Sequence, residues 1–249
     1  IVGIIDRAMT AKDKDVVGAS PEDVDACRQY VNKVLPMDST LSTALTTLRP
    51  DLFSAWLKQA GDPDLYLIEW MLNGTPAGIA EVVPPPGIFS PTDSNVEAKK
   101  LRGLSIYADG FTNYTSIEDS PHGQAALQEL VDAGFVEKFA TEAAVIEYLG
   151  AKPVVAKLAL ISKLKDDVWK HRLILDCRVS RVNERTVRTE RIILPRIWDA
   201  IRDGLDLMMQ RVRGSQLEYM VLDFSDAFFL LPLAHTEQRY FCARYRGEF

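Results

Sequence analysis

The run of residues 219–233, YMVLDFSDAFFLLPL, constrains the fold of this 249-residue chain more than any other segment. Apolar or aromatic residues without a charge at 219–222 predict a buried strand. Two carboxylates, Asp223 and Asp226, follow that strand, and aromatic residues resume after them. Burying a carboxylate is costly unless a partner compensates its charge. The carboxylate of Asp223 must therefore contact a cation, hydrogen-bond donors or solvent.

A divalent cation is the usual compensation for a carboxylate in this position. Asp offers the hard oxygen ligands that Mg²⁺ prefers, and such ions activate the attacking oxygen and neutralise the leaving oxygen in phosphoryl transfer. The alternative interpretation is structural: Asp223 caps the following turn or helix, since Asp is favoured at N-caps, and Asp226 is solvated. The two carboxylates alone leave both interpretations open.

A second feature lies upstream, between residues 158 and 186. Apolar runs at 158–161 and 173–175 flank a polar tip at 165–167, which predicts a β-hairpin. Basic residues gather on or beside it: Lys163, Lys165, Lys170 and Arg172. A hairpin of this kind suits a triphosphate, because Arg donates paired hydrogen bonds to phosphate oxygens and Lys supplies a point charge. A solvated surface hairpin is the alternative.

Taken together, the hairpin, the segment ERIILPR at 190–196 and the LDFSDAFFLLPL strand resemble reverse transcriptases of LTR retrotransposons and retroviruses. Both the order and the spacing of the three segments match that family. Its fingers hairpin ends in a K/R-x-D-x-R-x-x-N-like phrase, matched here by Arg172, Asp176, Arg178 and Asn183. Its first catalytic motif has the form LDxxDA followed by an aromatic residue. The resemblance covers roughly residues 124–249, about half of the chain.

The resemblance implies a catalytic role for the strand end. Asp223 would be the first catalytic carboxylate and would bind both metal ions, while the backbone carbonyl of Phe224 would complete the ligand set of one ion. The implied cofactor is a pair of Mg²⁺ ions, with Mn²⁺ as an alternative.

The resemblance also implies how the substrates bind. The dNTP would be contacted by the hairpin and by the residues after the catalytic Asp, namely Lys165, Arg172, Asp226, Ala227 and Phe228. In this set Phe228 would be the aromatic steric gate, which clashes with a ribose 2′-hydroxyl and so favours dNTPs. Asp176 and Arg178 would stack against the templating region.

The chain departs from the family in two places. Residues 179–182 lengthen the stretch between Arg178 and Asn183, which leaves the match of Asn183 open. The second catalytic motif, an aromatic residue followed by paired aspartates on a hairpin turn, does not occur in the sequence. We therefore expect a fragment, truncated after the first catalytic motif. It should not polymerise DNA by itself, because a single Asp holds Mg²⁺ weakly.

Charge divides the chain into two regions of opposite character. Residues 151–249 hold 18 Lys and Arg against 13 Asp and Glu, whereas residues 1–150 hold 11 against 22. An Arg-dominated basic region suits contact with phosphate backbones. The acidic region is not expected to hold nucleic acid by charge, and it either packs against the basic region or binds another protein.

Three scattered cysteines and three scattered histidines disfavour a zinc site and a disulfide framework. Apolar runs are too short for a membrane span, and no signal peptide is visible. These observations predict an intracellular protein, cytoplasmic or nuclear, without membrane partners.

The predicted fold class is α+β: a helical N-terminal region followed by the fingers and a partial palm of a right-hand polymerase. The expected divisions are an acidic helical region at 1–83, a Pro-rich connector and loop at 84–118, a fingers-like region at 119–215, and an incomplete palm at 216–249. Helices are expected at about 21–34, 41–48, 51–60, 64–72, 124–133, 141–149 and 195–212. The helix at 141–149 belongs to an insertion, 137–152, whose purpose the sequence does not assign.

The function expected from the resemblance is RNA-directed DNA polymerisation in the intact parent, with an RNA or DNA template-primer and dNTPs as partners. RNase H and integrase regions are compatible with such a parent polyprotein. Two alternatives stay open. One is a non-catalytic nucleic-acid-binding or scaffold protein derived from a decayed element. The other is a metal-dependent phosphohydrolase built on Asp223 and Asp226, although many of those enzymes space the carboxylates two residues apart and have little use for a basic hairpin.

Overall fold

The structure is a computed structural model, and it describes residues 20–94, 97, 106, 110–210 and 226–249. Over these residues the chain is a mixed α/β protein with mostly short helices and a three-stranded sheet. This agrees with the α+β class that the sequence predicts. The predicted strand at 219–222, together with Asp223 and Phe224, lies outside the described residues.

Three helices form the N-terminal region: α1 (Pro21–Val34), α2 (Pro50–Ala60) and α3 (Tyr66–Asn73). The α1 helix begins with a capping box, in which the Ser20 hydroxyl accepts from the Asp23 N–H and the Asp23 carboxylate accepts from the Ser20 N–H, both at 3.2 Å. The positions of these helices agree with their sequence predictions.

The helix predicted at 41–48 is absent. Side-chain hydroxyls accept backbone N–H groups instead: Thr43 Oγ1 bonds the N–H of Leu45, and Thr46 Oγ1 bonds that of Leu48, each at 3.1 Å. Thr and Ser side chains compete with the helical hydrogen bonds in this way. The apolar spacing was therefore a misleading signal at this position.

Residues 74–92, here named the strap, pack along two distant parts of the chain. The strap backbone bonds residues 187–191 and residues 232–234, for example through Val187 N–H to Gly78 O at 2.7 Å and Thr75 N–H to Pro232 O at 2.7 Å. Gly78 has φ of +78°, and a Cβ there would lie 2.4 Å from the Val187 carbonyl oxygen, so only glycine fits. The first part of the predicted connector thus lies against the fingers-like region.

Two buried glutamates fix the strap. Glu237 Oε1 accepts three consecutive backbone N–H groups, at 3.0 to 3.1 Å, from Ile79, Ala80 and Glu81. The carboxylate of Glu190 accepts the N–H of Gly87 at 2.8 Å and that of Phe89 at 3.3 Å. Since buried carboxylates need donors, these bonds compensate the burial of the Glu190 carboxylate and of Glu237 Oε1, while Glu237 Oε2 is buried without a hydrogen-bond partner among the described residues.

The central element is a β-hairpin of β1 (Val155–Lys165) and β2 (Val168–Asp176), and its presence confirms the predicted hairpin. The strands are antiparallel, with a register that runs from Lys157 opposite Asp176 to Lys165 opposite Val168. Asp166 and Asp167 form the two-residue turn with φ of 52° and 59°, the left-handed conformation that a tight hairpin loop requires. A short strand, β3 (Cys242–Ala243), pairs in parallel with the start of β1.

The base of the hairpin lies in the core. Leu158 and Leu160 pack with Ile117 of the short helix α4 (Thr115–Glu118) and with side chains of α5 (Gly123–Asp132). A neighbouring cluster joins Val154, Ala156, Cys177 and Val182, the last of these at the start of α7 (Val182–Arg185). Burial stops before the turn, because every residue from 161 to 170 is exposed. The hairpin therefore has a buried base and a free tip.

The insertion at 137–152 contains the predicted helix, α6 (Glu142–Leu149), which is capped by Thr141. The insertion packs against the end of the chain. Phe139 and Phe249 exchange two backbone hydrogen bonds, of 2.7 and 2.9 Å, and the ring of Tyr148 contacts that of His235 on α9 (His235–Gln238). Its observable role is to join the fingers-like region to residues 235–249.

The remaining helix, α8 (Ile197–Gln210), agrees with its sequence prediction but leaves its apolar residues exposed, including Trp198 at 71 %. Gly204 is its buried residue. Within the described part of the chain, these apolar residues are not packed into a core. Among the described helices, none has the length and hydropathy needed to cross a membrane.

Candidate functional site

The hairpin register brings four cationic side chains to one face of the ribbon. Lys163 lies opposite Lys170, Arg172 lies opposite Ile161, and Lys165 lies at the turn, opposite Val168. Side chains alternate between the faces of a strand, and directly paired residues share a face. Lys163, Lys165, Lys170 and Arg172 therefore point to the same side, and we name this group the basic face.

The charges of the basic face are not compensated within the described residues. All four side chains are exposed, and none of them forms an ion pair, hydrogen bond or ring contact with another described residue. Asp166 and Asp167 are the nearest acids in sequence, but they occupy the turn. Like charges directly opposite each other, such as Lys163 and Lys170, destabilise a sheet. An arrangement that costs stability without a visible structural gain is typical of a binding site.

The other face of the same ribbon is apolar at the tip. Leu164 and Trp169 are paired residues on that face and are 50 % and 60 % exposed. We name these two side chains the tip patch. Behind them, Ser162 Oγ lies 2.8 Å from His171 Nδ1, and the His171 ring stacks on that of His122 with centroids 4.2 Å apart. This contact braces β2 against the start of α5.

Asp176 ends β2 and lies at the base of the basic face. Its buried carboxylate accepts hydrogen bonds from the Tyr114 hydroxyl at 2.8 Å and from the backbone N–H and Nε of Arg178, both at 3.1 Å. The hydrogen bond from the Arg178 side chain is the main cause that lowers the pKa of Asp176, with Tyr114 adding to it. The same bond to Asp176 raises the pKa of Tyr114.

This arrangement separates the two predicted template-binding residues. The Asp176 carboxylate is already fully engaged, so it acts as a structural anchor in the described molecule. Arg178 is held on one edge by Asp176, but its side chain is 81 % exposed, which leaves other donors of its guanidinium directed to solvent. Lys157 adds a second cation here, with its Nζ 4.0 Å from the centre of the Tyr114 ring.

The residues after the predicted catalytic strand form a turn at 226–229. Asp226 has φ of +54°, and its carbonyl accepts the N–H of Phe229 at 2.8 Å. The Phe229 ring stacks on Phe135 with centroids 4.8 Å apart. Phe228, the predicted steric gate, is 97 % exposed. The turn is anchored through Phe229, and Phe228 is left projecting into solvent.

The structure does not connect the two groups of predicted dNTP-binding residues. Within the described ranges, no hydrogen bond, ion pair or ring contact joins Asp226, Ala227 or Phe228 to Lys165 or Arg172. Asp223 and Phe224, the predicted metal ligands, lie outside those ranges. In the part of the chain that is described, no three His, Cys, Asp or Glu side chains lie together as a metal site would require.

Sequence reasoning missed the tip patch and the strap anchors. The signal for Trp169 and Leu164 was present, because strand alternation around a fixed two-residue turn places them opposite the cations. For Glu190 and Glu237 no local signal exists, since their partners lie 101 to 158 residues away in sequence.

Comparison of the chain with protein-family models, curated proteins and solved structures gave no match.

Proposed function

We propose that this chain carries the fingers hairpin and the first catalytic carboxylate of a reverse transcriptase, an RNA-directed DNA polymerase. The observation that carries the proposal is the basic face, in which two strands present four cations on one side without a partner among the described residues. A polyanion such as a triphosphate or a nucleic-acid backbone is the partner that compensates such charges. The resemblance of the sequence supplies the class of enzyme.

In this proposal the tip and the base of the hairpin bind different groups. Lys165 and Arg172 would bind the triphosphate of the dNTP, for which Arg172 offers paired donors. Arg178, fixed by Asp176, would contact the templating region. Phe228 would lie under the deoxyribose, and its exposure supports that role because the ring is almost fully accessible to solvent.

The proposed metal site combines Asp223 with the backbone carbonyl of Phe224. When bound, a pair of Mg²⁺ or Mn²⁺ ions supplies activation of the attacking 3′-hydroxyl and neutralisation of the leaving group. The protein residues described above would position the nucleotide and exclude the ribose 2′-hydroxyl. Asp226 and Ala227 would direct backbone N–H groups at the phosphates.

A non-catalytic nucleic-acid-binding or scaffold role is the second candidate. It is favoured by the basic face, which suits contact with a nucleic-acid backbone without any catalytic step. A version of the chain extended to include the paired aspartates of the second motif distinguishes the two. Asp223→Asn in that version should abolish synthesis and leave template binding nearly intact, and Phe228→Val should admit ribonucleotides. Synthesis that survives Asp223→Asn would exclude the catalytic assignment.

The proposal is tested on the 249-residue chain by the salt dependence of its binding to a labelled template-primer. Each phosphate contact contributes about 0.7 to 0.9 to the slope of log K against log salt. Lys163→Gln/Lys170→Gln should therefore reduce the slope by about 1.4 to 1.8 between roughly 50 and 200 mM salt. The matched control is Lys33→Gln/Lys58→Gln, which removes two exposed lysines from α1 and α2 and should leave the slope unchanged.

Two results would count against the proposal. The first is an absence of template-primer binding by the unmodified chain. The second is an equal loss of affinity in both double variants, which would mean that binding depends on net charge and not on the hairpin.

A further inference from the structure

The tip patch is an exposed apolar surface on the face of the ribbon opposite the basic face. Trp169 and Leu164 lie side by side on one face, and Trp169 makes no ring contact with any described residue. In sequence they are flanked by Lys163 and Lys170 of the basic face. A buried Trp contributes much to the stability of a fold. Trp169 is exposed, so it does not make that contribution.

The size and surroundings of the tip patch restrict its occupant. Two side chains at the end of a two-stranded ribbon offer far less than the roughly 800 Å² per partner of a stable protein interface. A single nucleobase, in contrast, is flat, apolar on its faces and about as large as an indole. A ligand that combines such faces with regular negative charge is a single-stranded nucleic acid, which proteins bind by pairing aromatic platforms with basic grooves.

The base that stacks on Trp169 must be unpaired, because only an unpaired base has an accessible face. In a duplex the faces of the bases are covered by their neighbours in the stack, whereas an unpaired strand exposes them. Trp169 and Lys170 are neighbours on β2, an edge strand of the sheet, so their side chains point to opposite faces. A nucleic-acid strand that crosses this edge can therefore place a base on Trp169 while a phosphate reaches the flexible side chain of Lys170.

The platform is also held in place. His171, two residues from Trp169, is bonded to Ser162 across the ribbon and stacks on His122 of the α5 start. A binding surface that is fixed before the ligand arrives loses less entropy on binding. The free tip is thus attached to the core by a defined contact.

From these observations we infer that Trp169 is a stacking platform for an unpaired base of a single-stranded nucleic acid, with Leu164 extending the platform. The inference rests on the proposed function and adds to it the site at which an unpaired strand lies. Stacking is tolerant of sequence, since every base has an aromatic face, so the platform does not select among bases.

The experiment compares two labelled oligonucleotides of equal length and charge, an oligo-dT and its abasic counterpart, on the 249-residue chain. Binding is measured by fluorescence anisotropy with four proteins: the unmodified chain, Trp169→Ala, Trp169→Phe and Trp198→Ala. The last is a matched control, because Trp198 on α8 is also exposed, at 71 % against 60 % for Trp169.

The unmodified chain should bind oligo-dT about tenfold more tightly than the abasic oligomer, the lower range of a base-stacking contribution. Trp169→Ala should remove that preference and keep the slope of log K against log salt. Trp169→Phe should keep most of the preference, and Trp198→Ala should behave as the unmodified chain does. Far-UV circular dichroism checks that each variant is folded.

Equal binding of the two oligomers by the unmodified chain, or a preference that survives Trp169→Ala, would overturn the inference and leave the proposed function standing. Absence of binding to both oligomers would overturn the inference and the proposed function together. A preference lost equally in Trp198→Ala would also overturn the inference, because the platform would then not be at the tip.

Discussion

The base and the tip of the β1–β2 hairpin share one continuous ladder of paired residues but have opposite surroundings. At the base, Leu158 and Leu160 are buried against Ile117 and α5. At the tip, Lys163 faces Lys170 and Leu164 faces Trp169, all of them exposed. The ladder is continuous through both parts, and the difference is that α4, α5 and β3 cover the base while the tip extends beyond them.

This difference separates stability from binding. Burial of apolar area at the base stabilises the fold, while the tip adds like-charge repulsion and exposed aromatic surface that the fold does not need. Substitutions at the base should therefore change the free energy of unfolding, and substitutions at the tip should change ligand affinity. Predictions about the two parts can be made with matched residues on the same strand.

The largest expected effect is at the base. Leu158→Ala should lower the free energy of unfolding by about 2 to 5 kcal/mol, because it leaves a cavity in a closed core. Leu164→Ala, on the same strand and the same face, should change it by less than about 0.5 kcal/mol, because Leu164 is already exposed. Urea unfolding followed by circular dichroism measures both. Similar losses in the two variants would contradict the division into base and tip.

The next effect concerns the thiol that follows β2. Burial raises the pKa of Cys177 to about 11, and the same holds for Cys242. At pH 8 the reactive thiolate is then about a hundredfold scarcer than at the ordinary pKa of 9.0. Iodoacetamide should modify Cys27 on α1 first, with Cys177 and Cys242 reacting far more slowly. Mass spectrometry of timed samples checks this order, and rapid alkylation of the native Cys177 would show that the base is open.

A smaller effect is expected from acid. The pKa of Asp176 is lowered, so the fold favours its ionised form. Its contribution to stability is fully present above the ordinary pKa of 3.8 and is lost as the pH falls through the lowered value. Because Arg178 is largely exposed, solvent limits the size of the effect.

Asp176→Asn should accordingly lower the urea midpoint of unfolding at neutral pH. It should also make that midpoint decrease less as the pH falls from about 5 to about 2. Tyr114→Phe, which removes one donor to the same carboxylate, should cause a smaller change in the same direction. Urea midpoints at a series of pH values measure both. Superimposable profiles for the unmodified chain and Asp176→Asn would exclude this anchor at the base.

The smallest effect is expected at the tip and has the opposite sign. Lys163→Gln/Lys170→Gln removes two like charges that lie directly opposite each other, and it should raise the free energy of unfolding by about 0.2 to 1 kcal/mol. Lys33→Gln/Lys58→Gln should instead lower it slightly, because each substitution removes a cation from the last turn of a helix, α1 or α2. Urea unfolding at low salt is the suitable measurement, since salt screens the repulsion. A loss of stability would mean that the lysines of the tip support the fold.

Much of the local structure was predictable because its causes are local. Ser20 followed by Pro21 is typical of a helix start, and the polar tip at 165–167 between apolar runs indicated the hairpin. The common face of the four cations follows only from the register and the two-residue turn that the structure shows. The failure at 41–48 has a local cause as well, the hydroxyls of Thr43 and Thr46.

The contacts that join distant segments were not predictable. The strap is held by Glu237 and Glu190, which read in sequence as ordinary surface acids, and the insertion is held by the pairing of Phe139 with Phe249. Such contacts depend on the three-dimensional approach of segments more than 100 residues apart. The predicted roles of Lys165, Arg172 and Phe228 stay predictions, because they depend on a bound nucleotide.

The central claim, that the tip of the hairpin binds nucleic acid, is tested most directly by lysine footprinting. The chain is acetylated briefly with and without a template-primer that carries a single-stranded overhang, and the modification of each lysine is measured by mass spectrometry. Lys163 and Lys170 should be protected by the nucleic acid, while Lys33, Lys58 and Lys138 should react equally in both samples. Protection that is absent from Lys163 and Lys170, or equal at all five lysines, would contradict the claim.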